Sequence, residues 1–245
     1  MVAGWAADVL ATAEKMDVGI ELIRSQVLRQ LDVAASLTIA EYLLPRWLVS
    51  LRDRQESAGL TPTRVGHAAV NSEVVIALVR EGKVPLGFIE TPAVPPDLRS
   101  AVVGRDRLRV IVSPRHAWAG RRGPLTVHEL AGTSLITREK GSGTRTSLEQ
   151  LLAGLTGDLG MIAPPRAELS STAAVRTAVA SGVAPGVLSS LAIADDVALG
   201  RLVAVDVAGA DMTRSLLAVW ANGPRPSQGP ARELIALARD SFVHP

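Results

Sequence analysis

The sequence predicts an α/β fold of two Rossmann-like lobes joined by two crossovers of the chain, with one long helix in front of them. Three observations carry this expectation. Strand-sized apolar runs alternate with helical periods twice over, first from Leu31 to Ile89 and again from Ser134 to Val207. A strand and a helix, Ser215–Trp220 and Pro230–Phe242, are left over after the second series. That remainder fits a chain that leaves one lobe, builds another and returns. Finally, hydrophobic residues make up 47% of the 245 residues but aromatics only 3%. A core of small aliphatic side chains suits helices lying close on a sheet.

The first element is the long helix. Val2, Trp5, Val9, Met16, Ile20, Ile23 and Val27 recur at spacings of three and four or their multiples, while Asp8, Glu14, Lys15, Asp17, Glu21 and Arg24 lie mostly off that stripe. From Val2 to Arg24 such a helix is ~35 Å long at 1.5 Å per residue. Nothing adjacent in sequence covers its apolar face. It either docks on its own domain or pairs with another subunit, and pairing is the favoured reading. The charges that interrupt it, and the lack of a basic start, leave neither a signal peptide nor a membrane span.

The first lobe follows. Leu31–Ala35 is a short strand, and the hydroxyls of Ser36-Leu37-Thr38 precede a helix expected over Ile39–Arg54, with Pro45 tolerated near its start by a bend. Arg64–Val70 reads as the second strand. Asn71-Ser72 then caps a helix that runs through Glu81, Gly82 ends it, and Leu86–Ile89 is the third strand. This β-α-β-α-β order implies parallel strands. Leu98–Val103 and Arg107–Val112 read as two further strands, and Ser113–Pro124 as a polar, turn-rich stretch.

The second lobe repeats the alternation. It comprises strand Ser134–Thr137, loop Arg138–Gly143, helix Thr144–Leu152, a loop over Gly154–Pro165 and strand Arg166–Leu169. Helix Thr172–Ser181, a short strand around Val187, helix Ser190–Leu199 and strand Leu202–Val207 complete it. The expected organisation is therefore a helix over residues 1–28, lobe one from 29–107 and 208–245, and lobe two from 108–207.

Three helix starts carry short polar residues directly after a strand: Ser36/Thr38, Asn71/Ser72 and Ser171/Thr172. Each alone is ordinary capping. Together, on the carboxyl side of parallel strands, they line a crevice whose free N–H groups favour anions and carboxylates. Glu90-Thr91, at the end of the third strand, should face the same crevice. Arg138 could balance a ligand carboxylate or pair with Glu139 or Glu90.

Other classes are disfavoured. There are no cysteines, so disulfide, thiolate and Cys–metal chemistry are excluded. The four histidines form no metal-protease spacing, and no nucleophile elbow or P-loop occurs, so neither an enzyme nor a cofactor is expected. Lys and Arg total 26 against 24 Asp and Glu, without a dense basic block, which is a weak basis for nucleic-acid binding by this segment.

Several blocks resemble LysR-type transcriptional regulators. Leu31-Asp32-Val33-Ala34-Ala35-Ser36-Leu37-Thr38-Ile39-Ala40-Glu41-Tyr42-Leu43-Leu44-Pro45 is similar to the opening of their effector domain. Arg138-Glu139-Lys140-Gly141-Ser142-Gly143-Thr144-Arg145 is similar to the family's R-E-x-G-S-G-T-R segment, and Glu168–Thr172, Val179–Gly182, Leu188-Ser189 and Gly200–Leu202 follow in family order. The resemblance runs from about residue 2 to 242. It implies a type 2 periplasmic-binding-protein fold preceded by the family's linker helix, and a chain lacking the N-terminal winged helix-turn-helix. It places a small effector between the first helix start (Ser36, Leu37, Thr38), the second (Asn71, Ser72) and the strand end Thr137, Arg138 and Glu139; the crevice residues Glu90, Thr91 and Thr172 complete the expected site, whose hydroxyls and helix starts suit an anion or carboxylate. It further implies a cytoplasmic homodimer or homotetramer that meets operator DNA only through the missing domain, with no membrane partner. A transporter's solute-binding protein is the alternative on a similar fold. Two positions depart from the family pattern: Pro85 stands where an Asp is usual, and Pro185 lies in the glycine-rich turn of lobe two.

Overall fold

The computed structural model describes residues 30–92, 94–157, 159–226 and 228–243. The helix expected over residues 1–28 lies outside them. Strand β1 (Gln30–Ser36) runs parallel to β2 (Arg64–Val70) on one side and to β3 (Leu86–Ile89) on the other. Helices α1 (Leu37–Tyr42), α2 (Leu44–Ser57) and α3 (Ser72–Arg80) connect them. The single helix expected from Ile39 to Arg54 is two helices, broken at Leu43. Pro45 explains the break: it has no N–H to donate, so it sits in the first turn of a new helix, where none is needed.

Strand β4 (Arg99–Val112) corrects a second expectation, because the two strands read there are one of 14 residues. Its first part pairs with β9 (Thr213–Trp220) and its last part with β7 (Gly186–Ser189) and β8 (Val203–Val205). The register slips between Val102 and Gly104, a bulge that bends the strand without ending it. A side chain at Gly104 would meet the Phe242 ring at 2.3 Å, so glycine lets the last helix lie on the bulge.

The strand order is β2-β1-β3-β9-β4-β7-β5-β6, with β8 on β4, β5 being Ile136–Arg138 and β6 Ala167–Leu169. Helices α4 (Val127–Ala131), α5 (Gly143–Thr156), α6 (Thr172–Ala180), α7 (Ser190–Ala198) and α8 (Pro230–Val243) complete the fold. Helix α4 was not anticipated inside its polar surroundings, although Thr126 and Glu129 form a reciprocal capping box. The loop read over Gly154–Pro165 starts later, after Thr156, and contains a 3-10 turn at Leu159–Met161.

Four apolar clusters sandwich this sheet. Ile39, Trp47, Leu51, Phe88, Leu234 and Ala238 pack α1, α2 and α8 on one face of the β2–β4 half, and Val75, Val79, Ile89 and Val219 pack α3 on the other. In the other half, Leu130, Leu148 and Leu152 pack α4 and α5 against one face, and Val175, Val179 and Ile193 pack α6 and α7 against the opposite one. Each fully buried aliphatic side chain contributes roughly 1.5–3 kcal/mol, which is how so aromatic-poor a core holds.

The halves repeat one unit. Ser72, Val75, Val79, Gly82 and Pro85 lead from α3 into β3, and Thr172, Val175, Val179, Gly182 and Pro185 lead from α6 into β7. The two prolines that depart from the family pattern thus hold equivalent places before a strand. Both β3 and β7 form normally after them. Trp220, at the end of β9, is buried.

Candidate functional site

Strand ends carry the polar residues to the junction of the two halves. Ser36 ends β1, Glu90 follows β3, Arg138 ends β5 and Ser189 ends β7. Ser36 has the extended backbone of an N-cap, yet its hydroxyl does not cap α1. It donates instead to Glu90 Oε2, while the Thr38 hydroxyl donates to Glu90 Oε1 at 3.0 Å. Arg214 Nη1 lies 3.7 Å from the same Oε1. The carboxylate, 2% exposed, is thus held by two hydroxyls and a guanidinium at the start of a helix.

Arg214 ties this cradle to the other half. It binds Asp106 Oδ2 through Nε and Nη2 at 2.8 and 2.7 Å, and donates to Thr144 at 3.1 Å and Thr38 at 3.4 Å. Asp106 Oδ1 accepts from Ser189 at 2.8 Å. Ser147 on α5 donates to the carbonyl of Glu90 at 3.2 Å. One network therefore links β1, β3, β4, β7, β9 and the first turns of α1 and α5.

A second network lies beside it. Asn71 caps α3 through Val74 N–H at 3.0 Å and donates to Glu139 at 3.3 Å. Arg138 holds Glu139 with two contacts of 2.8 and 2.9 Å and reaches Thr172 at 3.2 Å. The Glu73 N–H donates to the Gly141 carbonyl at 3.1 Å, closing the backbone of one half on the other. Gly141 turns there with φ +85°, and Gly143 has so little room that a Cβ would meet Ser72 Oγ at 2.7 Å. The hydroxyls of Ser72 and Thr137 are buried with no partner.

Most of the residues read from the sequence converge in this way, but they fill one another's hydrogen-bonding needs. Open space lies next to them, in a cleft of about 500 Å³. Thr91 lines it, with Ser147, Gln150, Asp211, Met212 and Arg214. The Asp211 carboxyl is held below its ordinary range by the Thr213 hydroxyl and N–H. Leu37 is half-buried and supplies backbone between Ser36 and Thr38.

The sequence reading missed Arg214, Asp106, Thr144, Ser147 and Ser189. Arg138 was assigned three possible partners, and it takes Glu139, whereas Arg214 faces Glu90. The missed ion pair stood just outside two expected strands, which were begun at Arg107 and Ser215. Extending each strand into the charged residue before it was the available signal.

Comparisons with known proteins agree with this architecture. Residues 24–243 match the model of the LysR substrate binding domain. An uncharacterised HTH-type transcriptional regulator of Mycobacterium tuberculosis is 46% identical over 236 residues, which are 96% of this chain and 76% of that protein. The Synechocystis CcmR regulatory domain in complex with 2-PG has a TM-score of 0.72 at 24% identity, covering 88% of this chain and 98% of that one. The effector binding domain of QuiR in complex with shikimate has a TM-score of 0.69 at 16% identity, covering 87% and 97%. The last two likenesses are of fold.

Proposed function

We propose, from the premise that this chain belongs to the LysR substrate-binding family, that it takes a small anion or carboxylate between its two lobes and so sets the activity of a transcription regulator. One observation carries the choice of ligand. The cradle of Ser36, Thr38 and Arg214 already holds a carboxylate, that of Glu90. A site complementary to an internal carboxylate is complementary to an external one, provided Glu90 swings aside into the adjoining cleft. The lobes of this reading are residues 29–107 with 208–245, and 108–207, hinged on β4 and on the segment that leads into β9.

The effector acts by differential affinity. A ligand that binds the lobes better in one arrangement shifts the population toward it. In a homodimer or homotetramer that shift moves the attached DNA-binding segments. The regulator is cytoplasmic in this reading, and operator DNA is met outside the effector domain. The solved neighbours with 2-PG and shikimate bound support small molecules as ligands of this fold.

A thermal-shift series with inorganic anions and small mono- and dicarboxylates tests the reading. At least one should raise the unfolding midpoint in a concentration-dependent way. Glu90→Gln, which removes the competing charge, should tighten that ligand, and Thr38→Val should weaken it. The proposal fails if no anion in the series stabilises the protein, or if stabilisation is indifferent to both substitutions. Stabilisation without any change in solution scattering of the oligomer would sink the switch and leave only binding.

A further inference from the structure

Away from the lobe junction, a groove of about 480 Å³ lies between α8 and the neighbouring ends of β4 and β9. Arg232, Ile235, Ala236 and Arg239 line it from one face of α8, at the three- and four-residue spacings that bring side chains together on a helix. Arg225 comes from the loop before the helix, and Trp220 and Ser100 come from the strands. The indole and Ile235 are buried and form an apolar floor.

The charges around that floor are unbalanced. Arg232 gives one N–H to the Pro226 carbonyl at 3.1 Å, and Arg239 gives one to the Val102 carbonyl at 3.0 Å. Among the described residues, no carboxylate lies within ion-pair distance of Arg225, Arg232 or Arg239. The acids closest in sequence are engaged elsewhere, Glu233 with Gln55 and Asp240 with Arg54. The partial positive charge of the helix dipole adds to the guanidinium charges at the start of α8, the turn in which Arg232 stands. Like charges gathered in a concave site focus a field that an anion relieves. Guanidinium groups in particular offer forked N–H pairs matched to phosphate and carboxylate oxygens.

We propose that this groove is a second binding site, separate from the interlobe cleft, for a small organic phosphate carrying two or more negative charges. The guanidinium groups hold the phosphate oxygens and the Trp220–Ile235 floor takes the organic body. The groove's volume falls in the range of small-molecule sites rather than of an extended polymer track. The same oxyanion chemistry is presented by a nucleic-acid backbone, so the experiment must separate the two sources.

Titration calorimetry at low salt would use inorganic pyrophosphate as the minimal probe and mixed-sequence duplex DNA as the polymeric one. Pyrophosphate should bind saturably, and Arg232→Gln/Arg239→Gln should weaken it at least about tenfold. A charge-matched control, Arg64→Gln/Arg115→Gln, should leave it unchanged. Arg225→Gln alone, on a loop, should weaken it in the same direction and does not touch the helix. Unaltered affinity in the α8 variant overturns the site, even if pyrophosphate binds in the interlobe cleft. Equal losses in the control overturn it as unspecific attraction. Duplex DNA that displaces pyrophosphate at matched phosphate concentration overturns the small-molecule assignment.

Discussion

Asp106 and Arg214 stand directly opposite each other on β4, the strand that pairs into both halves of the sheet, and β9, its neighbour in the first half. Their side chains are 0% and 4% exposed and meet through two contacts of 2.7 and 2.8 Å. From this pair, hydrogen bonds reach Thr38 on one side of the junction and Thr144 and Ser189 on the other. This pin is therefore ionic, buried and cross-strand within one half, and it reaches the other half through the hydroxyls of Thr144 and Ser189.

Breaking that pin should be costly in an asymmetric way. Arg214→Met leaves Asp106 buried without its countercharge, and removing one partner of such a pair costs about 3–5 kcal/mol. Arg214→Met/Asp106→Leu removes both charges and should recover more than half of the loss. Urea unfolding of the two variants measures this. Equal destabilisation of both would show that the stranded charge of Asp106 is not the source of the loss.

Gly143→Ala should force the halves apart. The added Cβ would meet Ser72 Oγ at 2.7 Å, Glu90 Cγ at 2.8 Å and the Glu90 backbone carbon at 3.0 Å. Neither a buried hydroxyl nor backbone gives way easily, so overpacking of about 1–3 kcal/mol is expected. Because Gly143 opens α5 while Ser72 and Glu90 belong to the other half, relief comes from opening the junction. Small-angle scattering should show a larger radius of gyration than the wild type; an unchanged radius would mean the strain is absorbed locally.

Ser72→Ala should separate stability from binding. Its hydroxyl is buried without a partner, and Asn71, not Ser72, caps α3. Deleting an unsatisfied buried hydroxyl is neutral or stabilising by up to about 1 kcal/mol. If that hydroxyl serves the effector, the same variant should show a smaller ligand-induced shift in midpoint. A clear loss of stability in the free protein would mean the hydroxyl has a structural partner after all.

The capping box at α4 should register in acid. Arg121 and the Thr126 N–H and hydroxyl hold the Glu129 carboxyl at a pKa of about 2, down from 4.5. A carboxyl depressed by folding stabilises the fold above its unfolded value and loses that contribution as pH falls through its folded value. The advantage of wild type over Glu129→Gln should thus be constant above about pH 5 and vanish as pH falls from there towards 2. Thermal midpoints of the two proteins across that range check it. A difference that persists unchanged at the acid end would assign the effect to packing rather than to charge.

How much of this was legible beforehand follows from which interactions are local. β2, β3 and α3 were readable because their signals lie within a few residues: the alternation of Arg64–Val70, the cap at Asn71, the stop at Gly82. The candidate residues at helix starts were found for the same reason. What Glu90 and Arg138 bind was not readable, since Ser36–Glu90 and Arg138–Thr172 are contacts between distant parts of the chain. The Asp106–Arg214 pair needed the register of β4 against β9, and the bulge between Val102 and Gly104 shifts that register by one residue. Glu129 shows the opposite case, a local signal, Thr-x-x-Glu, that was present and passed over.

The place of β9 has a consequence for how the protein is made. Among the described residues it is the last strand in sequence, yet it lies between β3 and β4 in the sheet. A ribosome releases every strand of the β4–β7–β5–β6 half before it releases β9, so that half can close around its own core during synthesis. The nascent β1, β2 and β3 must meanwhile wait with an open edge at β3, until β9 arrives to seal it. Of the two halves, the one whose strands come first in sequence is completed last.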